Sequence, residues 1–236
     1  GAAQKAVYWP QRQISTLLRY GATSTYGLAY DGKTFFASDH PVNPKDTRKG
    51  TYSNIITSAG VYGAATNEVA LQNLQKVSGA IRSLKMADGI TPRFLQPKAI
   101  LCSSVAYPYF AQITNAKFLA LSAGSSGTSG GSGDIEGHLQ SLGFGDVIEC
   151  PELNGFESDT TYFVLAQAAG VPQNEMSAGF AYLEREPFAT TFYTGAGGGN
   201  AYVDAVLDRE NSLEWHIQGR NKAGYGHPFA VFKCTA

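Results

Sequence analysis

The chain has 236 residues, 43% of them hydrophobic and 12% aromatic, enough apolar material for a large core and too much for a disordered polypeptide. Eighteen Lys and Arg stand against 19 Asp and Glu, so the net charge of −1 argues against nucleic-acid recognition driven by phosphate neutralisation. Only 16% of residues are charged, below the usual fraction of about 25%, and 27 glycines and 13 tyrosines accompany them, a composition that suits a surface partly covered by neighbours.

The chain starts in helix-forming sequence without an initiator Met, so the expectation is that its start was removed by processing, proteolysis or design. Residues 2–8 have helical composition and Trp9-Pro10 interrupts them. Pro is tolerated in a first turn, so Pro10 is expected to open a second helix through Tyr20. Ile14, Leu17 and Leu18 share one face of it, and Gly21 is the expected stop. Asp31-Gly32, between β-prone residues 28–30 and 33–36, predicts a hairpin whose type I′ turn needs φ > 0 at both central residues. From Ser38 to Asp46 the sequence is polar and carries two prolines, which reads as a wide surface loop. Residues 51–56 then re-enter the core.

Thr66 is a candidate N-cap, and Ala70, Leu74, Val77, Ile81 and Leu84 repeat at the period of one buried helical face, with Asp88-Gly89 as the expected end. Residues 97–102 read as a buried strand. Ser103 or Ser104 then caps a helix that carries Pro108 in its first turns and turns Phe110, Ile113 and Phe118 inward. Residues 122–133 are all Gly and Ser except Ala123 and Thr128, a flexible loop by composition. A short helix near 135–142 and strands at 146–150 and 160–166 complete an α+β or α/β stretch. From Phe180 the texture is all β: strands at 181–193, 202–209, 213–218 and 228–234, with turns at 195–200 and 221–226.

Three blocks carry a family resemblance. The first is Tyr30-Asp31-Gly32-Lys33 with Phe35-Phe36, Asp39-His40-Pro41 and Gly50-Thr51-Tyr52-Ser53-Asn54. The second runs from Trp215 to Phe229 and includes Arg220 and Ala223-Gly224-Tyr225-Gly226; the third is Arg185-Glu186-Pro187-Phe188. Together they resemble the Mu-like prophage major head subunit family, whose members resemble the tailed-phage capsid fold of the Hong Kong 97 type. The resemblance implies an α+β chain with residues 1–54 as the end of a spine helix and a peripheral-domain hairpin. Residues 55–178 would be an axial domain, and residues 179–236 peripheral strands. It also implies that the N-terminal arm and extended loop are missing, and without them the polypeptide is expected to fold but stay monomeric or form small open oligomers.

Chemistry is sparse. Cys102, Cys150 and Cys234 lie apart at the ends of apolar segments, with neither a zinc spacing nor a disulfide framework, and read as buried thiols. His40, His138, His216 and His227 show no metal-ligand spacing, and no Ser sits in a nucleophile elbow. Residues 195–200 are Gly-rich but lack the Gly-Lys-Ser/Thr end of a phosphate loop. Glu184, Arg185 and Glu186 alternate in charge beside a proline; with Arg209, Arg220 and Lys222 they are candidate subunit-interface residues, while Asp31 and Gly32 are the structural turn. The favoured function is a non-enzymatic subunit of an icosahedral phage head that self-assembles into the shell around packaged DNA. By the resemblance its partners are copies of itself, a portal, a scaffold and a maturation protease, in a virion assembled in the bacterial cytoplasm. No catalytic residue, metal, cofactor, membrane or sequence-specific nucleic acid is implied. The alternatives are a β-rich ligand-binding or hydrolytic domain, marked by a deep apolar pocket, and a cellular nanocompartment shell of the same fold.

Overall fold

The computed structural model describes residues 2–115, 118–119, 133–134, 142–168, 179–192 and 215–236. In chain order the elements are α1 (Ala2–Tyr20), β1 (His40–Pro41), β2 (Thr51–Tyr52), β3 (Ile55–Ile56), α2 (Asn67–Arg82), β4 (Leu95–Cys102), α3 (Tyr107–Asn115), β5 (Phe118–Leu119), β6 (Gly133–Asp134), β7 (Asp146–Glu149), β8 (Tyr162–Ala168), β9 (Phe180–Phe192), β10 (Trp215–Tyr225) and β11 (Val231–Cys234). The chain divides into two compact units, Gly1–Ile14 with Ala181–Gly224, and Ser15–Phe180 with Tyr225–Ala236.

The larger unit is a mixed α/β layer built on a five-stranded sheet of order β3-β11-β8-β4-β7. β4 runs antiparallel to β8 and parallel to β7. β11 is antiparallel to β8 and parallel to β3, where Lys233 faces Ile55 and Cys234 faces Ile56. A sheet that mixes directions in this way needs long crossovers, and α2 and α3 supply helices packed on β4 and β7. Ala70, Leu74, Val77 and Ile81 of α2 are all fully buried against Ile100, Val164, Phe110 and Phe232, so the helical period places the core as expected. Each large side chain buried in this way contributes about 1.5–3 kcal/mol. Thr66 caps α2, its Oγ1 accepting the Val69 N–H at 3.2 Å, and the Ser103 hydroxyl accepts the Ala106 N–H at 3.3 Å ahead of α3. β5 and β6 form a separate antiparallel pair.

In the smaller unit, β9 and β10 pair in a two-stranded sheet. Gly219 of β10 lies under the Phe188 ring of β9, where a Cβ would come within 2.8 Å of Cδ1. The Ala223 N–H donates to Gln13 Oε1 at 2.6 Å, which ties the first part of α1 to β10.

Several expectations are corrected. α1 is one helix with Pro10 inside it, forgoing the single bond that a proline nitrogen cannot donate. Asp31-Gly32 is a turn without flanking strands. Gly32 N–H donates to Ala29 C=O at 3.0 Å and Ala29 N–H to Lys33 C=O at 2.8 Å. Gly32 has φ +77° and Asp31 is not left-handed, so the pattern is that of a three-residue loop with a left-handed glycine, not type I′. α2 ends at Arg82; Asp88-Gly89 instead closes a later turn, where Asp88 Oδ1 accepts from Ile90 and Thr91 N–H. Residues 221–225 continue β10 where a turn was expected, and Pro228–Ala230 form a 3-10 turn ahead of β11. The expected loop at 122–132, helix at 135–141, turn at 195–200 and strand at 202–209 lie outside the described residues.

Gly21 follows the end of α1 at Tyr20, as expected, and serves there by close approach. Phe36 N–H donates to its carbonyl at 2.8 Å, and a Cβ there would lie 2.6 Å from Phe36 Cδ2. Gly21→Ala is therefore expected to cost about 1–3 kcal/mol by overpacking. Around Gly32 there is open space, so its constraint is backbone alone: Gly32→Val should cost more than about 1 kcal/mol and Gly32→Asn clearly less. Equal urea midpoints for the two Gly32 variants would contradict the turn assignment.

A buried Asp-His-Asn node as the candidate functional site

Three polar residues of the first sequence block, Asp31, His40 and Asn54, are drawn inside the larger unit, while Lys33 and Asp39 pair at its surface. β1 and β2 pair His40 directly with Tyr52, and the imidazole stacks on the Tyr52 ring with centroids 5.3 Å apart. His40 Nδ1 donates to Asp31 Oδ2 at 2.6 Å, with both side chains wholly buried, and Nε2 faces the Phe35 carbonyl oxygen at 3.2 Å. Asp31 Oδ1 accepts the Lys33 N–H at 3.2 Å, so the carboxylate both closes the turn and holds the imidazole. The reading of residues 38–46 as a surface loop is thus corrected at His40 and Val42, both buried.

Asn54, wholly buried, completes the node. Its Nδ2 donates to the Phe35 carbonyl at 2.7 Å and to the Pro228 carbonyl at 3.2 Å, and lies 3.4 Å from that of Val231. Its Oδ1 accepts from Ala37 N–H at 3.0 Å while its own N–H donates to Ala37 C=O at 3.3 Å. Its carbonyl accepts from Lys233 N–H at 2.9 Å. One side chain therefore joins the 35–37 segment, the turn before β11 and, through its backbone, β11 itself.

Aromatic rings surround the node. Phe35 stacks on Tyr225 at 4.7 Å and meets Phe180 at 5.2 Å; Phe36 stacks on Phe163 at 5.4 Å. The Tyr225 hydroxyl donates to the Leu17 carbonyl at 3.0 Å, tying in the last turns of α1. Burial first, then the Asp31 charge, raises the Tyr30 phenol above its ordinary value. Tyr52 is raised further by burial, then by Tyr30 and Asp31. Beside it Arg93 lies over the Phe229 ring at 3.9 Å, and burial, then Arg93, lowers the His227 imidazole.

Chemically this arrangement fixes shape. The Asp31 carboxylate and His40 imidazole spend their polar atoms on one another and on the backbone, leaving no ring nitrogen to activate a nucleophile. Among the described residues no group of His, Cys, Asp and Glu could hold a metal ion, and no helix is long and apolar enough to cross a membrane. The three cysteines are free and buried; burial pushes the Cys102 and Cys150 thiols up to about 12 and Cys234 higher still.

Of the expected interface residues, Glu184, Arg185 and Glu186 are exposed on β9, and Arg220 and Lys222 are exposed on β10. Arg220 Nε meets Glu186 Oε2 at 3.2 Å with side chains 67% and 56% exposed, a pair worth ~0–1 kcal/mol. Arg209 lies outside the described residues. Sequence reasoning singled out Asp31 as a turn residue and His40 and Asn54 as parts of a motif, and missed that Asp31 bonds His40 while His40 and Asn54 converge on the Phe35 carbonyl. The available signal was a lone Asp, His and Asn set among aromatic residues, each a poor candidate for burial unless paired.

Removing one partner of a buried pair leaves the other uncompensated, so Asp31→Asn and His40→Gln should each cost about 3 kcal/mol. The double variant should cost well under the sum of the two, since it removes both halves together. Additive losses in urea denaturation would show that the two side chains are not coupled.

Residues 1–67 match the model of the family described as Mu-like prophage major head subunit gpT, so the resemblance read from residues 30–54 is borne out over that stretch. The blocks at 185–188 and 215–229 lie beyond the matched residues. No protein among those of curated function matches. Among solved structures, the chain is similar to a phage-related protein from Bordetella bronchiseptica RB50, with 10% identity and a TM-score of 0.39 over 77% of this chain and 54% of that one. The chain thus spans about half the length of that protein.

Proposed function

We propose that the chain is a shell-forming subunit of a Mu-like phage or prophage head, with the Hong Kong 97-type capsid fold. The observation that carries this reading is where the matched segment spends its side chains. Tyr30, Asp31, Phe35, Phe36, His40, Tyr52 and Asn54 all fall within residues 1–67, and all serve packing and hydrogen bonding. A subunit whose task is geometric has use for such a node, and His40, with both ring nitrogens engaged, offers no free base there.

On this reading residues 1–54 and 179–236 form the peripheral domain and residues 55–178 the axial domain. The partners are copies of the subunit, with a portal, a scaffold and a maturation protease, and the product is a virion capsid. The exposed β9 and β10 charges Glu184, Arg185, Glu186, Arg220 and Lys222 are the proposed contacts between subunits, with Arg209 beside them in sequence. Each contact can be weak, because a closed array of many copies multiplies small interface energies through effective concentration.

The test is made on particles. Heads purified on a density gradient from bacteria producing the phage should contain this polypeptide as their most abundant protein. Arg185→Glu should lower particle yield while changing the unfolding free energy of the isolated chain in urea by no more than about 0.5 kcal/mol, as surface changes do. Absence from the heads, or presence at only a few copies each, would overturn the assignment.

A further inference from the structure

The turn between β7 and β8 contains the most unusual backbone of the larger unit. Glu157 (φ 46°), Ser158 (φ 59°) and Asp159 (φ 60°) stand in succession in the left-handed region, after Gly155 at φ 72°. L-residues visit that region singly and at a cost, because Cβ crowds the following carbonyl. A run of three persists only if its surroundings over-determine it.

Those surroundings are specific. Asp159 Oδ1 accepts the Gly155 N–H at 2.9 Å, and the Thr160 hydroxyl donates to the Glu157 carbonyl at 3.0 Å. The Glu157 carboxylate accepts from the Thr161 hydroxyl at 2.6 Å through Oε2 and from Lys233 Nζ at 2.5 Å through Oε1. Lys233 sits on β11, its side chain 11% exposed, so this ammonium is held in the sheet and aimed at the turn. Phe156 stacks on Phe163 at 6.3 Å, and its ring centre lies 5.6 Å from the Arg19 guanidinium and 5.4 Å from Lys233 Nζ. Arg19 also donates to the Asn154 carbonyl at 3.0 Å, and Asn154 Oδ1 accepts the Ser104 N–H at 2.8 Å. The turn is therefore the joint at which the last turn of α1, the sheet strand β11 and the approach to α3 meet.

We infer that residues 154–159 are a strained latch that couples the end of α1 to β11. The Glu157–Lys233 pair holds the segment in its left-handed form. When a load on β11 or a competing charge draws Lys233 away, the segment relaxes to right-handed geometry. Phe156 then leaves its place beneath Arg19, and the last turn of α1 is released. The device is independent of the head-subunit reading, since it needs only one folded chain.

Limited proteolysis of the full chain tests it. In Lys233→Met, cleavage after Glu157 by a Glu-specific protease and cleavage after Arg19 by trypsin should both accelerate. Adding Ser158→Gly, which removes the penalty for a left-handed residue, should return cleavage at Arg19 to the wild-type rate. Faster cleavage at Glu157 with none at Arg19 would refute the coupling. Failure of Ser158→Gly to rescue would refute the stored strain. Should Lys233→Met not fold, Glu157→Gln loosens the same pair from the exposed side and trypsin cleavage at Arg19 alone is read: an unchanged rate would refute the coupling, and failure of Ser158→Gly to restore the wild-type rate would refute the stored strain.

Discussion

Asn54 satisfies more of the backbone around it than any other side chain described. Its amide reaches the carbonyls of Phe35 and Pro228 and accepts from Ala37, while its main chain bonds Ala37 and Lys233. A buried polar group contributes only when all its bonds are made, and each buried donor or acceptor left unmade costs about 1–3 kcal/mol. Against a typical total stability of 5–15 kcal/mol, that makes this amide a condition for the arrangement around it. β11 can lie between β3 and β8 because the turn before it is fastened at Pro228, and the 35–37 segment can enter the core because its carbonyl and N–H groups find partners there.

The rings of Phe35 and Phe36 carry that local order outward. One stacks on Tyr225, which bonds α1 through Leu17; the other stacks on Phe163 in β8, which stacks in turn on Phe156. Aromatic pairs add about 0.5–1.5 kcal/mol each beyond the area they bury. Their larger effect here is directional, since close-packed rings transmit a shift in one element to the next.

How much of this was legible in the sequence varied with the range of the interaction involved. The α2 face at Ala70, Leu74, Val77 and Ile81, the Thr66 cap and the Ser103 cap follow from residues within a few positions of each other, and sequence pattern suffices for them. The turn at Gly32 was also legible, though not its type, because turn type depends on how Phe35 and Phe36 are drawn into the core. Pairing of β3 with β11 was not legible: each is too short for a period, and 178 positions separate Ile55 from Lys233. His40 read as a loop residue because its partner Asp31 lies across the turn and its cover, Tyr52, comes from another strand. The left-handed run at 157–159 gave no signal at all, since glycine is absent from it and Lys233 holds it from far along the chain.

The most direct measurement is native-state hydrogen exchange of the 231–234 amides in Asn54→Ala, a smaller side chain that leaves the Ala37 N–H and Phe35 carbonyl without their partner. If the node is what seats the C-terminal strand, the amides of Val231–Cys234 lose protection first and by a larger factor than those of β4 and the β4-facing side of β8. Loss spread evenly over β4, β8 and β11, or protection of β11 unchanged from wild type, would show that the strand is held by sheet pairing alone.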